Sequence, residues 1–228
     1  MTDDDPIPPP PTATTREKAH GVALAILGEF PGGSTVVGIL DQIFGAPYAR
    51  RHEAWLRKMH ELLIELDARG IDLEGLGERP EFVTAVHDAT RIALGEHLEA
   101  KLDLLKAVLL NAATHPPDPI TDMWTLRYLR WIDELEPAHV TILAFGVDPR
   151  GWLEAQGKET PDYISGGRRT VFDLAQWPYA PDVIDLILED LARLQLGSLS
   201  AGMVTGRAMY DPWISNRGSR FLEWLAMS

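Results

Sequence analysis

The chain is predicted to be mainly α-helical, and three observations predict it. Apolar residues recur at helical spacing through most of residues 48–112. Proline and glycine punctuate those runs at their ends, where they start and stop helices. Only "SLSAGMVTGRAMYDPWISNRG", residues 198–218, lacks helical periodicity while carrying turn signals, and it is expected to hold a short β-hairpin. The predicted architecture is a helical hairpin plus two long helices, followed by a smaller helical unit with that β-hairpin. Residues 1–19 are read as a tail, 20–112 as a helical domain, 113–120 as a linker and 121–228 as a C-terminal domain.

The tail, "MTDDDPIPPPPTATTREKAHG", combines three aspartates with five prolines, a composition that favours disorder and polyproline II. It has neither the basic start nor the apolar core of a secretory signal, so a cytoplasmic position is expected. Next comes "GVALAILGEFPGGSTVVGILDQIF", residues 21–44, where Glu29 and Asp41 are the only charges. A spanning helix needs about 20 uninterrupted apolar residues. Pro31-Gly32-Gly33 cuts this stretch into shorter pieces, since proline cannot continue the first half and glycine permits a reversal. A helical hairpin packed into the core is expected, with Ser34 capping its second half. Its apolar residues Leu27, Phe30, Val36, Val37, Ile39, Leu40, Ile43 and Phe44 are the candidate contact with a membrane or partner. Gly33 and Gly38 have the spacing of a phosphate-binding loop, but Ile39 and Leu40 stand where that loop needs Lys and Ser or Thr.

Trp55, Met59, Leu62, Leu63 and Leu66 form one face of the next helix, which Gly70 stops. Pro80 opens the longest periodic stretch. Its stripe runs Phe82, Val86, Ala89, Ala93, Leu98, Leu102, Leu105, Leu109, which reads as one helix of about 45 Å with a bend at Gly95. Asp103 and Lys106 are expected to pair along its exposed side. "THPPDP", residues 114–119, cannot be helical and marks a linker or sharp corner.

Beyond it, Trp124, Tyr128, Trp131, Ile132 and Leu135 mark a helix with an aromatic face. Pro137 and Pro149 open two more helices. "TVFDLAQW" is read as a short helix. "PDVIDLILEDLARLQLG" is another, with Asp182 as cap, Gly197 as stop, and Val183, Ile187, Leu191 and Leu194 buried. "SRFLEWLAMS" closes the chain as a helix.

The sequence has 228 residues and a formal net charge of −13. Residues 1–112 hold 18 acidic and 11 basic side chains, and residues 113–228 hold 16 and 10, so the acidity is spread along the chain. That works against nucleic acid as a partner, because phosphate binding relies on clustered Lys and Arg. There is no cysteine, which removes disulfides, thiolate nucleophiles and cysteine metal ligands.

The order of 121–228 resembles a winged-helix domain. A leucine-periodic helix ends in "LARLQLGSL", a hairpin-like stretch follows, and Ser215, Gly218, Phe221 and Leu225 lead the closing helix. The resemblance implies DNA binding, yet Asp182, Asp185, Glu189 and Asp190 stand against Arg193 on the implied recognition helix. Carboxylates there repel phosphates. Arg168, Arg169, Arg207, Arg217 and Arg220 form a candidate basic patch on the wing or loops. As a whole, the chain looks like bacterial helical proteins that place a short apolar hairpin before long helices, and that resemblance implies no activity.

The seven histidines include no His-Glu-x-x-His. Glu17/His20 and Glu136/His139 have the spacing of di-iron ligands but lack the further carboxylates such a site needs. His87 and Asp88 are adjacent and are expected to point apart. His97 is expected beside the leucine stripe, partly buried. No nucleophile elbow is present.

The sequence therefore points to a non-enzymatic protein-interaction or scaffold component of the bacterial cytoplasm, with no cofactor, metal or small-molecule ligand identified. Its partner is expected to be a protein or a second copy. The alternatives are an effector that places residues 21–45 at a membrane, and a winged-helix transcriptional regulator.

Overall fold

Proline opens five of the helices in a computed structural model that describes residues 46–162, 168–199 and 206–226. Its fixed φ suits the first helical position, where the missing N–H has no intrahelical partner to lose. The described helices are α1 (Ala46–Ala68), α2 (Leu73–Gly77), α3 (Pro80–Gly95), α4 (Glu99–Thr114) and α5 (Pro119–Glu134). They continue as α6 (Pro137–Phe145), α7 (Pro149–Ala155), α8 (Arg168–Leu174), α9 (Pro181–Arg193) and α10 (Asn216–Ala226). The protein is mainly helical, as its periodicity predicts. The acidic tail, and with it Leu27, Phe30, Val36, Val37, Ile39, Leu40, Ile43 and Phe44, lies outside the described residues. Among the described residues no helix is long and apolar enough to cross a membrane.

The predicted stripes are the core. Trp55, Met59, Leu62 and Leu66 of α1 are buried against Phe82, Val86, Ala89 and Ala93 of α3 and Leu102, Leu105 and Leu109 of α4. The buried Trp55 indole donates to Thr90 Oγ1 at 3.0 Å, which satisfies its one polar group.

The single 45 Å helix expected over 82–112 is instead two helices that fold back into contact. Gly95 and Glu96 end α3, and Glu96 takes an extended backbone. Its carboxylate then accepts the amides of His97 at 2.7 Å and Leu98 at 3.0 Å, donors that would otherwise be orphaned at a helix start. The other carboxylate oxygen meets Lys101 at 3.2 Å. A glycine that reads as a bend becomes a corner because an acid beside it satisfies the freed backbone.

Asp103 and Lys106 do not pair with each other. Asp103 meets the largely buried Lys58 of α1 at 2.6 Å, and Lys106 meets Glu65 of α1 at 3.3 Å. Folding α4 onto α1 offers each charge an opposite partner across the interface.

The corner at 114–119 turns the chain without dividing its interior. Asp118 caps α5 by accepting the amides of Ile120 and Thr121 at 2.9 and 3.1 Å and the Thr121 hydroxyl. Arg79 reaches the carbonyls of Ala112, Ala113 and His115 at the end of α4. Leu109 and Leu110 share one apolar cluster with Tyr128 and Ile132 of α5 and Phe221 of α10. The described residues on both sides of the corner share one continuous apolar cluster.

The expected β-hairpin is not shown. Among the described residues, Ile214 of that stretch forms an isolated antiparallel bridge with Gly197 just before it, and Gly206–Tyr210 is a 3-10 turn. Two further differences concern α9. Its N-cap is Ala180 with Pro181 first in the helix, so Asp182 lies inside the first turn. Ile184, Ile187 and Leu191 are buried while Val183 is 42% exposed, because the packed face is centred one position later than expected.

Candidate functional site

The helix α5 is held from one side and open on the other. Inward, Tyr128 and Trp131 meet Phe221 of α10 at centroid distances of 5.5 and 5.4 Å, and Tyr128 meets Trp224 at 5.4 Å. Rings in tilted and edge contact fix the rotation of the helix about its axis. That rotation places Ile120, Met123, Arg127, Arg130 and Glu134 outward, at spacings of three and four that make one stripe. Ile120 is 66% and Met123 55% exposed.

At its C-terminal end the stripe meets α9. Arg193 donates to Glu134 at 3.2 Å and to Asp190 at 2.9 Å, and these carboxylates, Asp190 first, hold its guanidinium above its ordinary range. Arg127, Arg130 and Arg193 border a trough of about 560 Å3 over Trp131 and Leu194. Arg217 of α10 is beside it, donating to Leu194 O at 3.4 Å and Gln195 Oε1 at 2.9 Å. The carboxylates nearby are occupied: Asp133 takes Arg91 at 2.9 Å, and Glu134 and Asp190 take Arg193. The side chains of Arg127 and Arg130 make no ion pair or hydrogen bond to another described residue. Two guanidinium groups without an ion-pair partner among the described residues therefore stand side by side in a chain whose net charge is −13.

The basic patch read from the sequence is not gathered in this way. Arg169 of α8 is tied to Asp173 at 3.0 Å and Asp185 at 2.8 Å. Arg217 lies near residues 194 and 195, nine positions further along α9, or about 13 Å at the helical rise. Arg168 has its Nε buried without a hydrogen-bond partner, and Arg220 is on α10 close enough to Tyr128 for their charges to interact. The Arg207 side chain lies outside the described residues. Arg127 and Arg130 were missed, although two like charges three apart opposite an aromatic face were there to be seen.

Other candidate groups resolve into local structure. His139 of α6 accepts the Glu136 amide through Nδ1 at 3.0 Å. This occupies one nitrogen in capping the helix and puts the neutral ring's proton on Nε2, 3.5 Å from Asp190 Oδ2. The Glu136/His139 spacing thus serves a helix start. His87 Nδ1 and Asp88 Oδ1 approach to 3.7 Å, so the adjacent pair does meet at its tips. The His97 side chain is 72% exposed beside Glu96, which follows from the break after Gly95. Among the described residues no three His, Asp or Glu side chains gather as metal ligands.

Two further hollows are smaller. One of about 320 Å3 lies by Arg50, Arg51 and Glu96 with charges of both signs; another of about 230 Å3 lies between α3 and α5. In the second, burial and the nearby Glu81 push the Asp122 carboxyl up. The trough is lined by both signs as well, three arginines with Asp133 and Glu134, but its two acids are engaged by Arg91 and Arg193. Compared with known proteins, the chain matches no family model, and no curated protein or solved structure is significantly similar to it.

Proposed function

We propose that the protein is a non-catalytic interaction component that binds an acidic protein surface along the outward stripe of α5. One observation carries this reading: among the described residues, Arg127 and Arg130 have no carboxylate partner, and they stand beside exposed Ile120 and Met123 in an acidic chain. A guanidinium offers several donors in a plane and suits carboxylates geometrically. The neighbouring apolar side chains supply the water-excluding contact that charges alone lack. A long polyanion fits less well, because it would run from the trough onto the carboxylates of α9.

The test uses a labelled synthetic amphipathic helix of Glu and Leu as the probe, titrated with the full chain at low protein concentration. The wild type is expected to bind it, more weakly as salt rises, and R127E/R130E to bind about tenfold less or not at all. Equal binding by the charge-swapped variant overturns the reading, as does tighter binding of a duplex DNA probe than of the peptide.

A further inference from the structure

The surface that complements the α5 stripe is present on the same chain. Along α9, Leu186 is 58% and Val183 42% exposed, and Tyr179 just before the helix is 37% exposed. Asp182, Leu186 and Glu189 follow at spacings of four and three, which puts an acid one turn before and one turn after the leucine. Asp182 and Glu189 are exposed, and neither side chain makes an ion pair or hydrogen bond to another described residue. The neighbouring acids Asp185 and Asp190 are already engaged by Arg169 and Arg193.

The two stripes are therefore opposite in charge and alike in apolar content. On α5, Arg127 follows Met123 by four residues, about 6 Å along the axis; on α9, Glu189 follows Leu186 by three, about 4.5 Å. Setting Val183 and Leu186 against Ile120 and Met123 brings Glu189 near Arg127. Because Asp182 lies at the other end, the match holds when the helices run either way.

Within one chain the stripes cannot cover each other. They are tied where α5 and α9 end, by the Arg193–Glu134 pair at 3.2 Å, and their apolar parts lie about two to four turns before that tie, still exposed. The tie also places both stripes at one trough. A surface that carries two complementary halves is what a two-fold dimer requires: each half of one copy meets the other half of its partner.

We propose that the occupant of the α5 stripe is the α9 stripe of a second copy, giving a dimer with two identical α5–α9 contacts. This rests on the reading of α5 as an interaction surface and names its partner. Docking covers the four exposed apolar side chains and gives Arg127 a carboxylate partner in the same step.

Sedimentation and light scattering of the full chain over a wide concentration range test it, with two charge swaps, R127E/R130E and D182K/E189K. All four positions are exposed, and circular dichroism checks that each variant is folded. Wild type is expected to shift toward twice the chain mass as concentration rises, and each variant alone to stay at the single-chain mass. An equimolar mixture of the two variants is expected to recover the double mass, because in the mixed dimer one contact is native and the other is reversed in both partners. A wild type that stays single at every concentration overturns the proposal, as does a dimer that survives either swap. Failure of the mixture to recover overturns the α5–α9 pairing. If the wild type stays single but binds the Glu and Leu peptide through Arg127 and Arg130, the reading of α5 stands and the second copy as partner falls.

Discussion

Where α1, α3 and α4 meet, the core is aliphatic and regular. Ala85, Ala89 and Ala93 let α3 approach its neighbours, and leucines from α1 and α4 fill the space around them. Where α6 to α10 meet, aromatic rings and glycines take over. Phe145, Trp152, Phe172 and Trp177 meet in edge and tilted contacts with centroids 5.1 to 5.7 Å apart, and the Trp213 ring occupies the space a Cβ on Gly146 or Gly197 would need. The first region repeats one contact type along long helices, so its packing is shared over many side chains. The second depends on a few contacts whose shape admits one residue. It also leaves its cations at the rim, whereas in the first region Lys58 is drawn inside by Asp103 and Glu99 at 2.6 and 3.4 Å.

The sharpest way to break this comparison is at Gly218. A Cβ there would press on the backbone carbonyl of Leu196, which cannot step aside as a flexible side chain would. Ser215 fixes the geometry by accepting from the Gly218 amide at 3.1 Å while donating to Gln195 O at 2.7 Å. Gly218→Ala is expected to cost about 3 kcal/mol, at the upper end for overpacking. Gly77→Ala is the control, since a Cβ at that helical position meets nothing within 4 Å. It is expected to gain about 0.5 kcal/mol from helix propensity. Urea unfolding of both variants gives the contrast, and similar small effects would mean that the glycine contact is not specific.

A smaller effect is expected at the α3–α4 corner. Burial pushes the Glu96 carboxyl up, but the amides of His97 and Leu98 and the ammonium of Lys101 outweigh it and hold it below its ordinary value of 4.5. A carboxyl depressed in the folded state stabilises above its unfolded pKa, and that contribution disappears as pH falls through the folded one. Glu96→Gln is expected to cost about 1.5 kcal/mol near neutral pH, the scale of a charge-assisted hydrogen bond. The gap between wild type and variant should close progressively as pH falls below 4.5. Denaturant midpoints across the acid range measure it, and a gap independent of pH would place the effect in packing instead.

The two regions also differ in how much of them could be read beforehand. Trp55, Leu62, Phe82, Val86, Leu105 and Leu109 declare themselves because helical burial repeats every three or four residues. The corner at Glu96 does not, since its cause is a carboxylate turning back onto two amides, and the stripe runs on through it undisturbed. Gly197 reads only as a helix stop, and nothing near Gly146 or Gly218 in sequence reveals that all three admit a ring or a carbonyl, a fact about residues distant in sequence. The same limit applies to the α5 stripe. Arg127 and Arg130 are visible in the sequence, but their lack of partners depends on Arg193 taking Glu134 and Arg91 taking Asp133.

The smallest expected effect concerns the rim charges and sharpens the comparison from the other side. Arg169 bridges Asp173 and Asp185, linking α8 to α9, and its guanidinium lies 5.4 Å from the Phe172 ring centroid. The Asp185 hydrogen bond heads the influences that hold its charged form above the ordinary range, with burial opposing. Yet the arginine side chain is 44% exposed and Asp185 58%, so water competes for both partners. Arg169→Gln is therefore expected to cost about 0.5 kcal/mol, and salt should remove most of that, as for other exposed pairs. A double-mutant cycle with Asp185→Asn, run at low and high salt, isolates the bridge from the ring contact. A coupling of 2 kcal/mol or more, on the order seen for desolvated pairs, would show that the bridge is drier than its exposure implies. It would also mean that α6 to α10 hold their charges as tightly as α1, α3 and α4 do.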